Sequence, residues 1–275
     1  DTQKSGTRCN YDYVIQRAIQ PDFDNIGTTF NHIYRLDNGL EFFAEGMYQK
    51  NTGSAYEAPA GYTVDVAGDS ANIPQYVHDI DMLDGSVSDV ITVRTRFPER
   101  RVQEYDTQSY RVLAGLRGEL ADWSWETAAS YGKSTNEITN VAGYMNATKL
   151  DAAVAADEFN PFNLGRDSSA AQIAALRDPG MRKGESEVLS LDFNISGDLF
   201  ALPAGTVSSV FGGELRKEQI FDRPSINAVN NEIIGLGASD AEADRTQYAV
   251  YGEFNFPITD TLDVIAALRY DHYSD

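Results

Sequence analysis

The sequence contains no run approaching eighteen consecutive apolar residues, which excludes a membrane-spanning helix. That absence leaves membrane-crossing strands open, because their alternation gives only a weak hydropathy signal. Cations are scarce. Lys and Arg number 22 against 42 Asp and Glu, for a formal net charge of −20, which argues against a nucleic-acid partner. Only three histidines are present, His32, His78 and His272, with no metal-ligand spacing among them and none near Cys9. A zinc site therefore has no support. There is no G-x-S-x-G, no H-E-x-x-H and no phosphate-binding loop, so no enzyme is expected. Acid pairs such as Asp192 and Glu214 have no supporting catalytic motif around them. The single cysteine, Cys9, reads either as a free thiol or as half of a disulfide whose partner precedes residue 1. The chain opens on DTQKSGTRCNYDY, without an initiator Met or signal peptide, and a processed chain or a fragment is expected.

What is abundant is aromatic and glycine residues, with Tyr 15, Phe 13 and Gly 22, a composition that favours β structure. Strand signals come in pairs. TTFNHIYRL (28–36) meets LEFFAEGMYQ (40–49) through Asp37-Asn38-Gly39, a strong hairpin signal. YRVLAGLRGEL (110–120) meets WSWETAASYGKS (123–134) through 121–122. EVLSLDFNISGDLF (187–200) meets TVSSVFGGELRKEQIF (206–221) through 201–205. TQYAVYGEFNF (246–256) meets LDVIAALRYDHYSD (262–275) through 257–261. Between pairs the connections are long: 51–104, 138–184 and 223–244. Soluble domains rarely carry several loops above ~15 residues, whereas outer-membrane barrels alternate short turns with long outer loops. This parity makes VITVRTRF (90–97) a projection above the wall, expected to hairpin with the start of 105–120.

The strands alternate with period two. Leu189, Leu191, Phe193, Ile195 and Leu199 share one face; Ser190, Asp192, Asn194, Ser196 and Asp198 share the other. Val207, Phe211 and Leu215 oppose Ser208, Glu214, Arg216 and Glu218. In the last strand Leu262 to Tyr270 would meet lipid and Asp263, Arg269 and Asp271 water, with Ile265 out of pattern. Alternation alone equally fits a soluble sandwich with one wet face. Strands of ~10–16 residues, charges of both signs along the polar faces, and aromatics beside successive turns (Trp123, Trp125, Phe200, Phe254, Phe256) favour a barrel with an interfacial girdle. Within 138–184, NATKLDAAVAADEF and SSAAQIAALRDPG predict two short helices, the second started by Ser and stopped by Asp178-Pro179-Gly180.

The run from YRVLAGLRGELADWSWETAASYG through EFNPFNLG to LSLDFNISGDLFALPAGTVSSVFGGELRKE resembles the barrel of TonB-dependent outer-membrane receptors. TQYAVYGEFNFPITDTLDVIAALRYDHYSD resembles that family's next hairpin. The resemblance covers 105–275 closely and 1–104 more loosely. It implies an all-β fold: an antiparallel transmembrane β-barrel section, about eight wall strands of a 22-stranded barrel, with long extracellular loops containing short helices. It implies residence in the outer membrane of a Gram-negative bacterium. It also implies TonB-energised uptake of a scarce bulky nutrient, such as a ferric siderophore, haem, cobalamin or an oligosaccharide. The family's partners would be the nutrient, membrane lipid and the TonB complex, the last engaged through a plug domain that 1–275 lacks. On this reading the chain is an interior slice of a receptor. The alternative is a passive porin-like barrel or a surface β-sandwich binding protein without energy coupling.

Candidate sites are few. Asp79, Asp81, Asp84 and Asp89 surround Gly85 with oxygen ligands suited to a structural Ca²⁺, although the spacing is not that of an EF-hand; a solvated acidic loop is the plainer reading. No other cofactor is expected. Arg94, Arg96, Arg100 and Arg101 form a basic cluster in the longest loop that could meet an anionic ligand or simply balance neighbouring acids. Glu214, Arg216, Glu218, Glu253, Arg269 and Asp271 would face the lumen, where cross-strand ion pairing is the alternative to ligand contact.

Overall fold

The computed structural model describes residues 2–5, 8–12, 14–77 and 89–275. A small N-terminal hairpin pairs β1 (Thr2–Ser5) with β2 (Arg8–Tyr11), placing Cys9 opposite Lys4. The main body is one antiparallel sheet of eight strands. They are β3 (Asp22–Arg35), β4 (Glu41–Glu57), β7 (Arg101–Leu120), β8 (Trp123–Ala142), β9 (Met181–Leu202), β10 (Gly205–Pro224), β11 (Ala241–Thr259) and β12 (Leu262–Tyr273). Each pairs with its neighbour in chain order, so the sheet is a plain meander. Strands as long as the 22 residues of β9 extend ~70 Å at ~3.3 Å per residue, and even tilted by ~45° they exceed a ~30 Å hydrocarbon layer.

Connections at one end of the sheet are tight. Between β3 and β4, Leu36 N–H donates to Leu40 O at 2.8 Å, and Gly39 supplies the left-handed residue with φ +83°. Between β7 and β8 only Ala121 and Asp122 intervene, and Ala121 itself adopts φ +56°. The sheet has a bulge near this end. Val207 lies opposite Phe200 and Ser208 opposite Asp198, so Leu199 is the extra residue. Leu199 therefore leaves the alternation predicted for it, and Phe200 takes its place beside Val207.

The other end carries the long connections, and they fold together. β5 (Gly61–Ala67) pairs with β6 (Val90–Arg96) as a separate two-stranded sheet. This corrects the expectation that 90–97 hairpins with the start of 105–120. That stretch of β7 is already bonded to β4 on one side and β8 on the other, leaving no free edge for β6. β5 alternates strictly, burying Tyr62, Val64 and Val66 while exposing Thr63 and Asp65.

The buried face of β5 packs on the second long connection, which holds α1 (Ala147–Ala155) and α2 (Ala170–Leu176). Both predicted helices form where their starts indicate. Asn146 caps α1 by accepting from Lys149 N–H, and Ser169 with Gln172 makes a capping box for α2. Leu150, Val154, Phe159, Ile173 and Leu176 meet Tyr62, Val66 and Phe97 in a core separate from the sheet. The third connection, with α3 (Ile226–Val229), joins through Ile233, which bridges to Asn146 and packs with Tyr144 and Ala228. Three connections that are distant in sequence thus form one cap.

Candidate functional site

Cross-strand register sorts the eight-stranded sheet into rows, and each row keeps to one face. One face is apolar over its middle. A typical row there runs Tyr34, Phe42, Leu116, Thr127, Phe193, Gly213, Val250, Tyr270 from β3 to β12. Near the tight turns the apolar face carries a file of rings. Trp123 lies 6.3 Å from Phe211, Phe211 is 5.4 Å from Phe254, and Phe254 is 6.0 Å from Phe256. Eight residues further up β8, Tyr131 approaches Tyr110 at 5.9 Å, and Tyr110 lies directly opposite Tyr48. Above these tyrosines the same face becomes charged: Lys50 pairs with Asp106 at 2.9 Å, and Lys133 with Glu187 at 2.7 Å and with Glu185. An apolar band between two aromatic girdles, wet beyond the upper one, is the section of a membrane-spanning wall. The tight-turn girdle was legible in sequence. The tyrosine girdle was not, since its members become neighbours only through register.

The opposite face is polar and divides into two tiers. In the tier near the tight turns, charges pair across strands. Glu41 receives Arg35 at 2.7 Å and also Arg117, which reaches Glu126 at 3.7 Å. Glu214 receives Arg269 at 3.1 Å and also Arg216; Arg269 continues to Asp271 at 2.8 Å. Glu218 receives Arg245 at 2.6 Å. Glu41, Glu126, Glu214, Glu218 and Asp271 are thus occupied by guanidinium groups, whereas Glu45, Asp192 and Glu253 on the same face have no ion pair among the described residues.

The tier near the cap is built of neutral groups. Ser109 and Ser134 hydroxyls meet at 2.9 Å, Thr107 donates to Asn136 at 2.9 Å, and Gln103 donates to Asn140 at 3.0 Å. The charged pairs in this tier are Arg182 with Asp222, joined in a two-pronged contact, and Arg101 with Glu57 at its top. An open groove of about 360 Å³ runs along it, floored by Gly184 and bordered by Ser134, Asn136, Ser186, Ile138 and Ile220.

The family described as TonB dependent receptor-like, beta-barrel matches residues 36–275. The chain belongs to the TonB-dependent receptor β-barrel family. Comparison with curated proteins gave no match. Among solved structures, the outer membrane transporter YddB from Escherichia coli aligns with 92% of this chain at 10% identity and a TM-score of 0.42. The chain spans 34% of that transporter's length. Within a TonB-dependent receptor barrel the apolar face is the lipid face and the two-tiered polar face is the lumen.

The predicted site residues among the described ones each have a definite place. Arg269 and Glu214 meet in the charged tier, as do Arg216, Glu218 and Asp271. Asp192 lies directly opposite Glu214 in register. Glu253 is on the same face of β11, level with Val210 and Ala267. Ile265, out of pattern in the sequence, sits on this face opposite Asn255. The four-arginine cluster is dispersed. Arg94 is exposed on β6 opposite Thr63. Arg96 donates to Pro59 O at 2.6 Å, and Arg101 donates to Ala58 O at 2.9 Å while pairing with Glu57 at 3.0 Å. Arg101 thereby fastens the cap to the wall, and Arg96 ties β6 to the link that precedes β5. Arg100 lies 4.1 Å from the ring centre of Tyr56. Of the acidic loop, Asp79, Asp81 and Asp84 lie outside the described residues. Asp89 closes the β5–β6 hairpin by accepting from Gly68 N–H at 2.9 Å. Among the described residues no group of three or more His, Cys, Asp or Glu is placed to hold a metal.

Sequence reading missed the residues that unite the cap. Asp157, in a left-handed conformation at φ +57°, accepts from Ser70 Oγ, from Ala71 N–H at 3.3 Å and from Asn72 Nδ2 at 3.3 Å. Asp178 accepts from Asn146 at 2.7 Å and from Asn227 at 3.0 Å. Arg177 clamps Glu99, with Nε at 3.0 Å, and the carboxylate holds that guanidinium's pKa above its usual value. Apart from Asn146–Asp178, which lies within the second connection, each contact joins two different connections.

Proposed function

We propose that this chain supplies part of the wall and the extracellular cap of a receptor for a scarce, bulky nutrient. The receptor lies in the outer membrane of a Gram-negative bacterium and is energised by the TonB complex through a plug. The observation that carries this reading is the combination of a lipid-faced band between two girdles with a polar lumen roofed by a cap. The cap faces outward and receives ligand; the tight turns face the periplasm. The wall's ion pairs hold the lumen surface, and the plug and the TonB complex work inside it.

Orientation and energy coupling are tested on the full-length protein. In a Cys9→Ser background, Thr63→Cys on the cap should react with a membrane-impermeant maleimide in intact cells, and Asp122→Cys at a tight turn should not. Labelling at Asp122→Cys with Thr63→Cys protected would invert the topology. Uptake that persists undiminished after loss of the energising complex would leave a passive barrel in its place.

A further inference from the structure

The tier of the lumen beneath the cap differs from the rest of the wall, and its chemistry bears on the ligand. A ligand with carboxylates, phosphates or an anionic chelate is held by unpaired Arg or Lys. On the described upper tier the cations are Arg182, which Asp222 occupies, and, at its top, Arg101, which Glu57 occupies. A cationic ligand would need a free carboxylate, and Asp222 and Glu57 are committed in the same pairs. What remains is amide and hydroxyl groups. Asn51, Thr107 and Asn136 form one row across β4, β7 and β8; Gln49, Ser109 and Ser134 form the row below. Amides and hydroxyls offer donors and acceptors together. Asn136 accepts from Thr107 through Oδ1 and borders the groove, and its amide also carries an NH₂ donor.

Apolar surface accompanies these groups. Phe23, Tyr105 and Ile138 share the next row up, with the Tyr105 ring lying against Gly53, where any side chain would collide with it. The electron-rich face of an aromatic ring suits the weakly positive C–H groups of a sugar. The groove's volume of about 360 Å³ falls in the range of small-ligand sites. Neither described histidine reaches this face: His32 and His272 lie in one row on the lipid side.

We infer that the upper lumen tier binds an uncharged, hydroxyl-rich ligand of the oligosaccharide class, read by Asn136, Thr107 and Ser134. The inference rests on the uptake reading above and narrows its substrate. Arg111 is the counterweight. It lies one step below Ser109 on the lumen face, exposed, with no ion pair among the described residues. An anionic ligand would be read there instead.

The test is binding by the full-length protein in detergent, measured calorimetrically. The neutral probes are maltotriose, xylotriose and chitotriose; the anionic probes are ferric citrate and hemin. At least one neutral trisaccharide should bind. Asn136→Ala should weaken it tenfold or more, Ser134→Ala severalfold, and Arg111→Gln less than twofold. Unchanged heat-modifiable gel migration shows that the variants fold. Binding of ferric citrate or hemin that Arg111→Gln abolishes, with no trisaccharide bound, overturns the substrate class while leaving receptor-mediated uptake intact. Failure of every trisaccharide to bind the folded protein overturns it equally. Absence of the protein from outer-membrane fractions sinks the uptake reading itself.

Discussion

Phe193 and Asn194 are consecutive in β9, and the face assignment gives them opposite fates. Phe193 lies in the lipid-face row between Thr127 and Gly213; Asn194 lies in the lumen row between Glu126 and Gly212. On β9 the lipid band runs from Leu189, opposite Tyr131, to Gly197, opposite Trp123. Those eight steps cover ~26 Å along the strand and ~20 Å of membrane at a ~40° tilt, close to the ~25 Å apolar band of such barrels. Phe193 is at the midpoint. Arginine at the midplane of a barrel's lipid face costs about 2–4 kcal/mol, and the lost ring adds to that. Gln219 sits above the tyrosine girdle, opposite Glu187 and Asp244, and there the same residue costs about 0–1 kcal/mol. Asn194 borders an open polar groove of about 360 Å³ in the charged tier, where an arginine has room and stays within about 0.5 kcal/mol of wild type. Urea unfolding of the full-length protein in phosphatidylcholine vesicles, followed by tryptophan fluorescence, ranks the three variants. The expected order of cost is Phe193→Arg well above Gln219→Arg, with Asn194→Arg near zero. A cost at Asn194 equal to or above that at Phe193 refutes the face assignment and the membrane reading with it.

Two further predictions concern the cap. Tyr62 is buried, its ring stacked 4.2 Å from Phe97, and its hydroxyl has no hydrogen-bond partner among the described residues. Tyr62→Phe should therefore leave the cap as stable or stabilise it by up to about 1–3 kcal/mol, the cost of desolvating that hydroxyl. Burial also pushes the Tyr62 pKa up from 10.0. The unfolded phenol ionises first, so cap stability holds below about pH 10 and falls as pH rises through the gap between the two values. Amide exchange in the cap at pH 8 and 11 checks both points; an equal alkaline loss in wild type and Tyr62→Phe would discard the titration argument. Phe97→Ala should cost the cap about 3–5 kcal/mol, since Phe97 is 1% exposed and also lies 6.4 Å from Phe159. Protection should fall in α1 as well as around residue 97, and loss confined to 58–97 would show that the connections fold separately.

How much of this was legible in sequence depends on the range of the signal. The wall strands were, because alternation is written residue by residue, as in LSLDFNIS. The bulge at Leu199 was not, because it is a mismatch between two strands and neither strand shows it alone. Both helices were marked by local caps at Asn146 and Ser169. The partner of β6 was assigned to the nearest strand in sequence, although β7 had no edge to offer. β5 was overlooked as a strand, yet GYTVDVA carries the alternation in plain form. The arginine cluster looked like a single site because its members are close in sequence. β7 begins at Arg101, so Arg100 belongs to the connection and Arg101 to the wall, and they part company, one toward Tyr56 and the other toward Ala58 and Tyr144.

The net charge of −20 invites the view that the lumen attracts cations, and the arrangement of the wall confines that attraction to the lower tier. Charge acts locally, within about a Debye length of ~8–10 Å, so position outweighs the total. In the lower tier, Glu41, Glu214, Glu218 and Asp271 are held by arginines from adjacent strands or from the same strand. In the upper tier Asp222 is neutralised by Arg182. Asp106, Glu185 and Glu187 are on the outward face above the tyrosine girdle, while Asp192 and Glu253 face the lumen in the lower tier without an ion pair among the described residues. Asp157 and Asp178 join the three connections. On the proposed reading, a ligand passing beneath the cap meets amides and hydroxyls before any charge that lacks an ion pair among the described residues. Hydrogen-bond geometry would then make the selection at that point, and Arg111, a cation with no ion pair among the described residues, lies below it.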